Sequence, residues 1–116
     1  MTRHELADAM LKGKNTPGVM ESRAYYVTTG IGALCRVCGL GAALVGKLDG
    51  DFHKAEIEFE AAGGFDMDSD EPTIFAEFLE IPRSLAVAVE IKHLNGLSIE
   101  DIAKWLKSSE GEANHV

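Results

Sequence analysis

Cys35-Arg36-Val37-Cys38 runs directly into Gly39-Leu40-Gly41-Ala42-Ala43, so the two thiols of the chain stand where an extended segment gives way to a helix. Two cysteines at this spacing can serve two kinds of chemistry. A helix N-terminus and a neighbouring cation such as Arg36 lower a thiol's pKa and prepare it for disulfide exchange. Alternatively, the pair supplies two of the roughly four nitrogen or sulfur ligands of a structural zinc, with His53 and His93 as the residues able to complete the set. The plainer reading of both cysteines is buried and structural.

Two further patterns imitate binding motifs and fail at a defined position. Asp66, Asp68 and Asp70, with Glu77 eleven positions after Asp66, follow part of a calcium-loop spacing. Such a loop needs glycine at its sixth position for the sharp bend, and here Glu71 stands there with Pro72 behind it. Acidic residues ahead of a helix are explained more simply by the helix dipole. Gly30-Ile31-Gly32 begins like a dinucleotide fingerprint, but Cys35 occupies the place of the third small residue, so the segment reads as a turn.

These residues must be positioned by short elements. Thr2 and Glu5 have capping-box spacing and predict a helix over about 3–12, broken by Gly13, Asn15, Pro17 and Gly18. The aromatic and β-branched run 25–29 and the apolar run 33–37 predict a small hairpin. A short helix follows from Cys38 to about Gly46. Asp51 caps a segment over 52–62 that reads either as a helix, with Phe52, Ala55, Phe59 and Ala62 inward, or as a strand of period two. Helix is the favoured reading. Pro72 opens another helix through about Glu80, burying Ile74, Phe75, Phe78 and Leu79. A longer one spans Arg83 to Leu94, and Ser98 with Asp101 starts the last, its inward stripe being Ile99, Ile102, Ala103 and Leu106. The fold class is therefore mainly α, a small helical domain with a short β-hairpin near residues 25–37. It forms one compact domain over 1–107, followed by a solvated tail, 108–116.

At 116 residues with 46% hydrophobic content the chain has material for one core. No apolar run reaches the roughly 20 residues of a membrane span, and no signal-peptide pattern opens the chain. The expectation is a cytoplasmic protein away from membranes. The net charge of −8 is unevenly placed: residues 1–50 carry +2 and residues 51–116 carry −10. Phosphate recognition depends on clustered Lys and Arg, so direct nucleic-acid binding is not expected. Within 51–80, ten carboxylates accompany one base, Lys54. Glu56, Glu58, Glu60, Asp66, Asp68, Asp70 and Glu71 are the candidate contacts for a protein partner with a basic surface.

Two resemblances follow from these residues. Cys38-Gly39-Leu40-Gly41-Ala42-Ala43 resembles the Cys-x-Leu-Gly-Ala-Ala segment of a loose group of small, uncharacterised phage and prophage-associated bacterial proteins. Leu79-Glu80-Ile81-Pro82 and the run Leu94 to Leu106, with its Ser-x-x-acid-Ile-Ala-x-Trp-Leu helix, resemble that group's C-terminal part. The resemblance covers about a third of the chain, implies a phage or prophage context, and carries over no activity or cofactor. The strand leading to Cys-x-x-Cys also resembles the thioredoxin arrangement, with Ile81-Pro82 where a substrate-binding proline would be sought. It departs from that family in lacking a Trp before Cys35, in having Arg-Val between the cysteines, and in reading as helix over 83–94. The expected function is a non-enzymatic acidic interaction or regulatory protein, with nucleic-acid mimicry as its most specific form and no cofactor required. The alternative is a small thiol-redox or zinc protein using Cys35 and Cys38. Homo-oligomerisation through exposed Phe side chains or Trp105 stays open at this level.

Overall fold

Most helix starts carry a local signal that their side chains satisfy in a computed structural model, which describes residues 1–22, 26–29 and 35–108. The order is α1 (Arg3–Lys14), β1 (Val19–Glu21), β2 (Val27–Thr29), β3 (Cys35–Val37), α2 (Gly39–Lys47), α3 (Phe52–Ala61), α4 (Glu71–Leu79), α5 (Arg83–Leu94) and α6 (Ile99–Ser108). Thr2 and Glu5 form the reciprocal capping box of α1. Asp51, Asp70 and Ser98 accept from the third-following amide at α3, α4 and α6 respectively. At α5, Pro82 stands at the N-cap and brings no side-chain bond.

The mainly helical class and the hairpin are found. β2 pairs antiparallel with β3, Val27 opposite Val37 and Thr29 opposite Cys35. Residues 25 and 30–34 of the expected hairpin lie outside the described residues, as do 109–116 of the expected tail. The sheet also has a third strand that periodicity did not reveal: β1 runs parallel to β3 on its other edge, giving the order β1-β3-β2. Three residues are too few for an alternation to be read.

Two boundaries differ from expectation. α1 passes through Gly13 to Lys14, because Gly13 is where α1 touches α2 and not where it ends. A Cβ on Gly13 would lie 1.8 Å from the Ala42 carbonyl oxygen, and one on Gly46 would lie 1.9 Å from that of Ala9. The helix backbones therefore meet directly. The ambiguous segment 52–62 is helical. Ala55 and Phe59 are buried while Ile57, which a strand would have placed on the same face, is 64% exposed. Ala62 is exposed, since α3 stops at Ala61 and the chain turns away at Gly63. In α4, Phe75 and Leu79 are buried, whereas Ile74 and Phe78 pack at the margin of the core.

α2 is the centre of the molecule: each of its residues from Gly39 to Gly46 is buried. An apolar surface all round a helix requires neighbours on every side. α1 supplies one, and the hairpin another, where a Cβ on Gly41 would lie 1.6 Å from the Tyr26 carbonyl oxygen. The inward stripe of α6 is buried as its periodicity required. Gly46→Ala should destabilise the protein by about 1–3 kcal/mol or more in chemical denaturation, despite alanine's better helix propensity, because a backbone carbonyl cannot rotate out of the way as a side chain can.

Candidate functional site

The N-terminus of α2 and the C-terminal half of α5 border a small cleft lined by Tyr26, Cys38, Gly39, Leu40, Glu90, His93 and Leu94. Its interior has room for about one water molecule, far short of the space a small-molecule substrate fills. Four side chains capable of proton chemistry converge on it.

Cys38 is the N-cap of α2: the Gly41 amide donates to its Sγ at 3.3 Å. Burial pushes the thiol up to about 12, and the amides of Gly41 and Leu40, which favour the thiolate, offset only part of that cost. Cys38 is therefore a neutral thiol at physiological pH, serving as a hydrogen-bond acceptor. Cys35 is fully buried on the inner face of β3, and strand alternation sends Arg36 to the opposite, exposed face. The intervening cation expected to assist the thiols thus points away from Cys35.

Tyr26 packs against Phe59 and Phe75 with ring centroids 6.0 Å away in each case. Burial, followed by the negative charge of Glu90 and Glu71, pushes its phenol up to about 12. Glu90 has one carboxylate oxygen buried with no hydrogen-bond partner among the described residues. Its pKa is raised, first by burial and then by Glu71 and Asp70. His93 is buried, with Nε2 3.0 Å from Glu21 Oε2, while Glu21 Oε1 accepts from the Ile99 amide at 3.4 Å. Glu21 therefore ties β1 to the end of α5 and the start of α6. The two partners are 72 residues apart and share no motif, so sequence could not have joined them. Glu90 did leave a trace: it is the acid inside the apolar run Leu85 to Ile91.

Of the two histidines considered as zinc ligands, His93 lines the cleft with Cys38, whereas His53 is exposed on α3 against the ring of Phe52. Among the described residues no group of three or more His, Cys, Asp or Glu side chains is placed to hold a metal ion. Asp70, part of the calcium-like spacing, instead caps α4 through the Thr73 amide and pairs with Arg83 at 3.1 Å.

The acidic candidates are distributed over α3, the connection 62–70 and the start of α4. At 100° per residue, Glu56 and Glu60 share one flank of α3 and Glu58 occupies the other. Glu60, Asp66 and Asp68 are exposed, while Glu56, Glu58 and Glu71 are half-buried. Exposed apolar side chains lie among them, namely Ile57, Phe65 and Met67. Glu71 also bears on the cleft, since its charge raises both Tyr26 and Glu90.

Two measurements test this description. Glu90's folded pKa is raised above its ordinary 4.5, so it contributes stability that is fully present below about that pH and is lost as pH rises through the folded pKa. Replacing it by Gln should stabilise the protein at neutral pH. The stability difference between Glu90→Gln and wild type should shrink as pH falls toward 4.5, read from thermal melts across that range. Separately, both thiols should resist iodoacetamide at pH 7 in the native protein and be labelled in denaturant, because each is buried and Cys38 is protonated.

No family model matches the chain, and comparison with curated proteins and with solved structures likewise gives no match.

Proposed function

We propose that this chain is a non-enzymatic interaction or regulatory protein that recognises a basic protein partner through its acidic segment 51–80. The observation that carries this reading is how the fold uses its cations. Lys12 pairs with Asp49, Lys14 with Glu100, Lys47 with Glu80, Arg83 with Asp70 and Lys107 with Asp8. Arg3 and Lys92 lie against the ring of Trp105, 4.5 and 4.4 Å from its centroid. Among the described residues, Glu58, Glu60, Asp66 and Asp68 take part in none of the ion pairs. Their charge is available for an external cationic surface, which they would attract before contact and orient on arrival. Asp70 belongs to this set only in part, since its cap and its Arg83 partner already engage it.

The likeness to phage and prophage proteins suggests the most specific form of this reading, in which the carboxylates stand in for phosphates in the nucleic-acid groove of a cytoplasmic host protein. No helix of the described residues is long and apolar enough to cross a membrane.

A lysine homopeptide is the direct probe. Its titration into the full chain should shift backbone resonances around residues 56–70, with affinity falling as salt rises. The triple reversal Glu60→Lys, Asp66→Lys, Asp68→Lys should weaken binding on the order of tenfold. Affinity indifferent both to salt and to that reversal would refute the proposal.

A further inference from the structure

The connection between α3 and α4 displays apolar side chains on a backbone that is already tied down. Gly63 and Gly64 donate to the carbonyls of Glu60 and Phe59, both at 2.9 Å. Asp66 donates to Gly63 at 3.1 Å and Ser69 to Asp66 at 3.2 Å, while Ser69 Oγ donates to Gly64 at 3.1 Å. Gly64 lies so close on the Phe59 ring that a Cβ there would come within 2.4 Å of it, and the Phe65 ring meets Phe59 edge-on at 5.1 Å. On this fixed frame Phe65 is half exposed and Met67 is fully exposed, at 106% of its reference area. Met67 makes little contribution to this protein's own core.

We infer that Phe65 and Met67 form an apolar anchor for a basic amphipathic helix of a partner protein, a deepening that rests on the acidic-surface reading above. Charge selects this occupant. Asp66 and Asp68 bracket Met67, and Glu60 lies at the preceding helix end, so the apolar spot is edged by carboxylates. A helix with one apolar stripe between rows of Lys or Arg is complementary to that arrangement, the stripe seating on Met67 and the cations meeting the acids. Methionine suits such a contact because its unbranched, polarisable side chain adapts to different apolar shapes. An anionic membrane would be repelled by the same carboxylates. A second copy of this chain is disfavoured because the ion pairs and Trp105 already engage seven of its cations. Since the backbone frame is tied down beforehand, little of the binding energy goes into ordering the connection.

The test uses the full chain and two synthetic peptides of about 15 residues with equal lysine content, one a Leu–Lys amphipathic helix and the other its Ser–Lys analogue. The Leu–Lys peptide should bind on the order of tenfold more tightly. Met67→Ser should remove that advantage without altering the melting temperature, and Met67→Leu should keep it. Equal affinity for the two peptides, or a preference that survives Met67→Ser, overturns the anchor while leaving the acidic-surface reading standing. Failure of both peptides to bind overturns both. Sedimentation with phosphatidylcholine vesicles that depends on Met67 would replace the helix by a membrane and likewise overturn the inference.

Discussion

The contact between α1 and α2 is a contact of backbones, and most of the molecule is arranged around it. Gly13 lies on the carbonyl of Ala42 and Gly46 on that of Ala9, so the two helices interlock with no side chain between them. This closeness lets the nine-residue α2 lie in the middle of a chain of only 116 residues and still be covered on all sides. Gly41 repeats the device toward the hairpin, where the Tyr26 carbonyl both rests on that glycine and accepts the Cys38 amide at 3.2 Å. A nine-residue helix with three glycines is marginal by itself despite its alanine and leucine, and burial of its whole surface supplies the stability.

This arrangement decides the chemistry of Cys38. Because α2 starts inside the protein, its N-cap is buried, and the side chain at that cap is removed from water together with the first turn. Cys38 accepts the Gly41 amide there, but desolvation outweighs the help that the helix end gives its thiolate, and the thiol is held near 12. The same spacing at an exposed helix start would have favoured a reactive thiol. Glu90 experiences a related conflict on α5, with a buried oxygen lacking a partner among the described residues and the carboxylates of Glu71 and Asp70 nearby. The cleft thus gathers Cys38, Tyr26 and Glu90, each with its charged form disfavoured by burial, around a space about the size of a water molecule.

Away from the cleft the charges divide by role. The cations of α1, α2, α5 and α6 are used to join elements: Lys14 reaches α6 at Glu100, and Lys47 reaches the end of α4 at Phe78 and Glu80. Cations at a helix C-terminus such as that of α4 complement its dipole. Among the described residues Glu58, Glu60, Asp66 and Asp68 join no ion pair, and there acidic side chains stand beside the apolar Ile57, Phe65 and Met67. This division, more than the net charge of −8, separates charge that holds the fold together from charge that faces solvent.

Caps and stripes were legible in the residues because both are local. Thr2 with Glu5, Asp51, Pro72 and Ser98 each mark a helix start that the fold uses, and Ile99, Ile102, Ala103 and Leu106 face inward as a period of 3.6 demands. The acidic run was legible as charge, though its division into half-buried Glu56, Glu58 and Glu71 and exposed Glu60, Asp66 and Asp68 was not. Gly13 misled as a breaker, because from sequence a glycine needed for close approach looks the same as one that ends a helix. β1, three residues joined in parallel to β3, gave no periodic signal at all. Composition and spacing by themselves determined the helical class, the helix starts and the placement of charge, all set by interactions within a few residues. Tertiary structure alone decided that Cys38 is a buried cap, that Glu21 meets His93, and that Met67 stands in solvent. Burial and pairing across tens of residues depend on which elements pack together, and no local pattern encodes that.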